Sequence, residues 1–289
     1  MREEVVGHSR ILDFLERIVK SERMPHALLF SGKRGIGKFK VATLLAMMYL
    51  CKTRDACGSC KSCKSIGKGV HEDFKVVFVP DKKKNISIED IRELKEWTYV
   101  GASSGGKVAI IDDAHLMSIE AANAFLKTLE EPPIGTVFVL VTPSPYKLPQ
   151  TIVSRCLNVR FQPLTKEDIE RICEIKGVSG LKRKLCLMSG SMTFLDYEDK
   201  TISKAFEIVD RFERGDYNLL AMLDDLKDEA LMELVLFMIR YRLNKRLKEE
   251  RDKKLMDVHK ELTYLEKMFY WSNVSYSSLF EYLFLKVVL

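Results

Sequence analysis

The chain has 289 residues, 46% of them apolar, which suffices for about two domains with buried cores and excludes collagen-like, disordered and disulfide-knot classes. Lys and Arg number 47 against 41 Asp and Glu, a net +6 that permits contact with nucleic acid without demanding it. The longest apolar run, Leu44 to Cys51, is too short to span a membrane, and the charged start Met1-Arg2-Glu3-Glu4 does not read as a signal peptide.

In chain order, Ile11, Leu12, Phe14, Leu15, Ile18 and Val19 recur at helical spacing, with Ser9 as the expected N-cap and Pro25 as the stop. Ala27-Leu28-Leu29-Phe30 reads as a buried strand running into Gly32-Lys33-Arg34-Gly35-Ile36-Gly37-Lys38, and a helix follows to about Leu50. A glycine-rich turn between strand and helix is the setting of a phosphate-binding loop. Gly32, Gly35 and Gly37 let backbone N–H groups converge on phosphate, and Lys38 is placed for the outer phosphates. The next residue should carry the hydroxyl that holds magnesium; it is Phe39, which cannot ligate a hard cation. ATP with magnesium is therefore expected to be absent or unproductive here.

Four of the seven cysteines, Cys51, Cys57, Cys60 and Cys63, follow within one short stretch. Four thiolates with CxxC spacing predict a structural zinc site with no position open to water, and Lys52, Arg54, Lys61 and Lys64 would offset its negative charge. An iron–sulfur cluster, free thiols or a redox pair are the alternatives. Clustered rather than paired cysteines fit a reduced, cytoplasmic setting. Cys156, Cys173 and Cys186 read as small apolar fillers.

Further strands are expected at 74–79, 107–111, 136–142 and 157–161. Ser87 to Asp90 forms a capping box for a helix through Trp97, and another helix runs from about Ser118 to Glu130, before Pro132-Pro133. The third strand ends in Asp112-Asp113. Asp112 is placed to hold magnesium, whereas Asp113 stands where ATPases of this kind carry Glu, one methylene longer. Both acids could instead serve as helix-capping residues near Ser118. Alternation of strands and helices implies an α/β fold with a mainly parallel, five-stranded sheet covered on both faces. After Pro163 a second capping box, Thr165 to Asp168, opens an all-helical remainder with Leu234, Met238 and Leu243 facing inward. The expected division is 1–163 with the cysteine module 51–63 inserted, a small helical domain 164–205, and a helical domain 206–289. The basic stretch Arg240 to Lys254 reads as a solvated helix face, with DNA contact as the alternative, and Lys82-Lys83-Lys84 reads as a solvated turn. The aromatic residues from Phe269 to Phe284 read as helix core or interface.

Met24-Pro25-His26-Ala27-Leu28-Leu29-Phe30, the phosphate loop, the clustered cysteines, Ile111-Asp112-Asp113-Ala114-His115 and Leu148-Pro149-Gln150-Thr151-Ile152-Val153-Ser154-Arg155-Cys156 together resemble bacterial clamp-loader subunits. These are AAA+ proteins of the DNA polymerase III holoenzyme, and the likeness covers about residues 1–195. The resemblance implies an AAA+ domain, then a helical lid and a helical collar. It also implies a hetero-pentameric ring with γ/τ and δ subunits that loads the sliding clamp on primed DNA. By the same resemblance Arg155 acts in trans, as an arginine finger in a neighbouring ATP site, and Thr142 falls at the sensor 1 position. Where motor subunits carry a sensor 2 arginine, the stretch Gly190-Ser191-Met192-Thr193 is followed by Phe194. Phe39, Asp113 and Phe194 together make the chain resemble the non-hydrolysing δ′ type. The alternatives are an ATP-hydrolysing γ/τ-type motor and, more remotely, a zinc-dependent nucleic-acid-binding module.

Overall fold

Five short runs rich in β-branched and aliphatic residues supply the strands: β1 (Ala27–Ser31), β2 (Phe74–Val77), β3 (Lys107–Ile111), β4 (Thr136–Thr142) and β5 (Leu157–Arg160). They form one parallel sheet in the order β2-β3-β4-β1-β5. The computed structural model describes residues 5–21, 23–79, 83–216, 228–250, 256–257 and 259–260. Every residue of β1, β3 and β4 is buried, as parallel strands covered on both faces require. Alternate side chains serve the two faces. Leu29, Ala109, Ile111, Phe138 and Leu140 share one core with Ile91 and Leu94 of α4 (Ile88–Tyr99) and Phe125 and Leu129 of α5 (Ile119–Glu130). On the opposite face α2 (Lys38–Leu50) packs against β3 and β4, with α1 (Ser9–Lys20) beside it.

The expected helix starts hold at α4 and at α7 (Lys166–Lys176), while α4 runs two residues past the expected end at Trp97. Ser87 and Asp90 form a reciprocal capping box, as do Thr165 and Asp168. Ser118 caps α5 by accepting from the Ala121 N–H. At α1 the sequence reading needs correction. Ser9 is the first helical residue, and the N-cap is His8 in a left-handed conformation (φ 59°). The reason is tertiary: His8 Nε2 lies 2.8 Å from the Ile36 carbonyl, and its ring packs edge-on against Phe161. The second strand also ends at Val77, two residues short of the expected Val79.

The chain divides into two compact units, Met1–Gly177 with Ser189–Thr193, and Val178–Met188 with Phe194–Leu289. Helix α7 belongs to the first unit, and the expected boundary at 205/206 falls inside the continuous helix α9 (Asp199–Glu213). In the second unit α9 packs against α10 (Glu229–Glu250) around Ile202, Val209, Leu234, Met238 and Leu243, the last three being inward positions read from the sequence. Arg242 of the basic stretch is committed to this helix pair through Asp210, at 2.8 Å, and Glu213. Arg251, Lys253, Lys254, Lys82 and the aromatic residues from Phe269 onward lie outside the described residues. No described helix is long and apolar enough to cross a membrane.

One buried carboxylate organises the entry to β3. Asp73, 1% exposed, accepts from the N–H groups of Ser103 (3.0 Å) and Ser104 (2.7 Å) and from the Ser103 hydroxyl (2.8 Å). Burial alone would raise its pKa, but these donors outweigh it and the pKa lies below the usual value of 3.8. A depressed folded pKa means stability present above the unfolded pKa and lost as pH falls through the folded one. Asp73→Asn should therefore cost about 2 kcal/mol at pH 7, from hydrogen bonds to a charged acceptor. The gap between variant and wild type in urea unfolding should close as pH drops below about 4.

Candidate functional site: a phosphate loop, a thiolate cluster and an exposed arginine

The glycine-rich turn joins the C-terminal end of β1 to α2, where open α/β sheets place their ligands. Gly35 (φ 70°) and Gly37 (φ 93°) adopt left-handed conformations that side chains resist. A Cβ on Gly32 would lie 2.6 Å from the Phe161 carbonyl, so only glycine fits there. Lys38 is 6% exposed and turns back on its own loop, donating from Nζ to the Gly32 (2.7 Å) and Lys33 (2.6 Å) carbonyls. Burial lowers its pKa to about 8, against the opposing pull of Asp113 and Asp112.

Asp112 and Asp113 stand at the end of β3, which β4 separates from β1. Burial, then the like charge of Asp113, raises the pKa of Asp112. Asp113 has φ 46° and is paired with Arg34 of the loop at 3.1 Å. Neither acid caps α5; Ser118 does. Thr142, fully buried at the end of β4, sits beside the loop, and its carbonyl accepts from the Gly32 N–H at 3.3 Å. Its hydroxyl accepts from the Ser144 N–H at 3.0 Å. Phe39 points outward at 40% exposure, where a magnesium-binding hydroxyl would be needed.

Sequence reasoning missed how the loop is fastened. Residues 189–193 lie along its outer side. Met192 N–H donates to the Gly35 carbonyl (2.8 Å), the Thr193 hydroxyl to the Arg34 carbonyl (2.9 Å), and Lys33 Nζ to the Ser189 carbonyl (2.6 Å). A Cβ at Gly35 would come within 2.4 Å of the Thr193 hydroxyl. Phe194, by contrast, is buried in the second unit against Tyr197 and Phe237.

The four cysteines singled out in the sequence converge. Cys51, Cys57, Cys60 and Cys63 place their sulfurs within 4.8 Å of one another. Cys51 Sγ is 3.6 Å from that of Cys57 and 3.8 Å from that of Cys60. A tetrahedral zinc with bonds of about 2.3 Å needs sulfurs about 3.8 Å apart, so the cluster fits such an ion. A helix not anticipated from the sequence, α3 (Lys61–Gly67), supplies Cys63, and Cys60 is its N-cap, its sulfur accepting from the Cys63 N–H at 3.4 Å. Left-handed residues Arg54, Ala56 and Gly58 fold the connecting loop. The Ser59 hydroxyl, then the Cys60 N–H, draw the pKa of the exposed Cys57 down to about 6, whereas burial raises that of Cys63. Cys173 and Cys186 are buried, and Cys156 is half-buried with its thiol pushed up to about 12 by burial.

Arg155 follows the single helical turn α6 (Gln150–Val153), away from the loop in sequence and exposed. Its guanidinium donates to the Thr151 carbonyl (3.0 Å) and pairs with Glu130 at the end of α5 (2.9 Å).

Comparison with known proteins places this geometry. Residues 7–165 match the family model described as DNA polymerase III, delta subunit. DNA polymerase III subunit tau of Salmonella typhimurium is 35% identical over 246 residues, covering 80% of this chain and 37% of the relative. DNA polymerase III subunit delta' of Bacillus subtilis is 41% identical over 165 residues, 56% of this chain and 49% of the relative. The chain thus spans half or less of the length of these curated relatives. A solved DNA polymerase III gamma subunit-related protein from Thermotoga maritima shares the fold, with a TM-score of 0.53 at 19% identity over 94% of this chain and 97% of that one. With its five-stranded parallel sheet and phosphate loop, the chain belongs to the DNA polymerase III delta-subunit family, among the bacterial clamp-loader AAA+ proteins.

Proposed function

We propose that the chain is a non-hydrolysing, δ′-type subunit of the clamp loader, which assembles with γ/τ and δ subunits in a hetero-pentameric ring and lends Arg155 to a neighbour's ATP site. The relatives named above include both tau and delta' proteins, so family membership alone does not choose between motor and stator. The observation that carries the choice is Phe39: an exposed phenyl ring follows Lys38 where the metal hydroxyl is required. Two further features agree with it. Asp113 is short and already neutralised by Arg34, and Phe194 is core in place of a nucleotide-sensing arginine.

Arg155 suits a role in trans. It is permanently charged, offers a planar fork to phosphate oxygens, and is exposed on the domain surface. Its pair with Glu130 is worth at most about 1 kcal/mol, so a phosphate can displace the carboxylate at little cost. In this reading the helices after Pro163 supply the lid and the collar that holds the ring. The thiolate cluster binds zinc as a structural ion: the four sulfurs fix the 51–67 segment to the end of α2, and no ligand position is left for catalysis. Sliding clamp and primed DNA are met through the assembled complex, in the cytoplasm.

Native mass spectrometry of the chain mixed with the γ/τ and δ subunits of its own loader tests the assembly. One copy of this chain per complex, together with the motor subunits, is the expected result; failure to enter any such complex would overturn the reading.

A further inference from the structure

A cavity of about 470 Å³ opens at the N-terminal end of the sheet, opposite the phosphate loop, where β1 and β4 begin. Met24 and His26 of the segment before β1, Tyr49 of α2, Arg54 of the cysteine loop, and Pro133 and Ile134 of the turn after α5 line it. Three properties distinguish it from a surface irregularity.

Its floor is fixed in place. The Tyr49 hydroxyl donates to the Gly135 carbonyl at 3.2 Å, and its ring lies where a Cβ on Gly106 would approach to 2.6 Å. The Arg54 guanidinium sits 5.6 Å from the Tyr49 ring centroid and donates to the Val19 carbonyl at 3.4 Å. Arg54 reaches that position because the cysteine loop holds it at φ 56°, with its N–H on the Cys51 carbonyl. The thiolate cluster therefore builds one wall of the cavity.

Its polar groups are not all used. His26 Nε2 is shielded from solvent and has no hydrogen-bond partner, an uncommon state for a buried ring nitrogen. The described lining residues include a cation and this imidazole but no carboxylate. Its rim, finally, carries an exposed apolar side chain. Ile134 is completely exposed, displayed by the rigid Pro132-Pro133 pair, with Met24 beside the same cavity.

We propose that this cavity docks a segment of a protein partner that presents an aliphatic or aromatic side chain next to a carboxylate. The apolar side chain is covered by Ile134, Met24 and the Tyr49 ring. The carboxylate meets Arg54. Because Tyr49 and Arg54 are already fixed, little side-chain ordering opposes binding. The cysteine module thereby acquires a role beyond bracing α2: it positions the cation that selects an acidic partner. This proposal does not depend on the clamp-loader reading.

The test is methyl-detected NMR of the full-length, zinc-loaded chain, following Met24 and Ile134. The probes are two blocked peptides, acetyl-Glu-Leu-Phe-amide and acetyl-Lys-Leu-Phe-amide. The acidic peptide should shift both methyl signals saturably, with a Kd of roughly 1 mM, and the lysine peptide should not. Arg54→Gln should weaken binding about tenfold, the loss of one charge-assisted contact. Since that change touches the cysteine loop, Ile134→Ser on the opposite, fully exposed rim provides the second variant and should weaken binding about as much. Absence of saturable shifts, equal shifts from both peptides, or unchanged affinity in Ile134→Ser would overturn the proposal.

Discussion

Arg155→Ala should slow single-turnover ATP hydrolysis at the neighbouring motor site by about 10³-fold, the low end of what arginine fingers contribute elsewhere. The fold should be untouched. Arg155 is partly exposed, and its ion pair with Glu130 lies at the surface, where such pairs contribute at most about 1 kcal/mol. Thermal unfolding and zinc content should accordingly match the wild type. If Arg155 completes one motor site, the steady-state turnover of the whole ring should fall by that site's share. Arg155→Lys should recover little, because an ammonium keeps the charge but loses the planar two-point contact. Unchanged single-turnover kinetics in the assembled loader would remove Arg155 from the chemistry.

The second large effect concerns the metal. Cys60→Ser should abolish stoichiometric zinc binding and unfold the segment from Cys51 to Gly67. Cys60 does two things at once: its sulfur is one of the four that converge, and it caps α3 by accepting from Cys63. Apparent binding free energies of structural zinc are on the order of 10 kcal/mol, far more than a seven-residue helix gains by itself. Hydrogen exchange should show protection lost across 51–67 and kept in β1, β3 and β4, whose cores are formed by other residues. A strong chelator should reproduce the pattern in the wild type. Full protection in Cys60→Ser, or a wild-type chain isolated without bound metal, would contradict a structural ion.

What the sequence made legible was local. The short, mostly apolar strand runs, the capping boxes at Ser87 and Thr165, and the convergence of four cysteines all depend on residues close together in the chain. What it hid was set by distant partners. His8 caps α1 because Ile36 and Phe161 hold its ring. Thr193 reaches Arg34 across 159 positions, and Lys33 reaches Ser189 across 156, which no periodicity announces. The same holds for Glu130 and Arg155, brought together by the packing of α5 against α6. Helix α3 went unseen for another reason: only seven residues long and carrying a metal-ligand cysteine, it lacks a repeating apolar face. The phosphate loop was readable, but not the inward turn of its lysine onto the Gly32 and Lys33 carbonyls.

The central claim is that this chain keeps the scaffold of a nucleotide motor without its chemistry. Magnesium-dependent ATP turnover by the purified chain, measured beside Lys38→Ala, tests that most directly. The account predicts a rate indistinguishable from buffer for both proteins; turnover by the wild type that disappears with Lys38→Ala would contradict it.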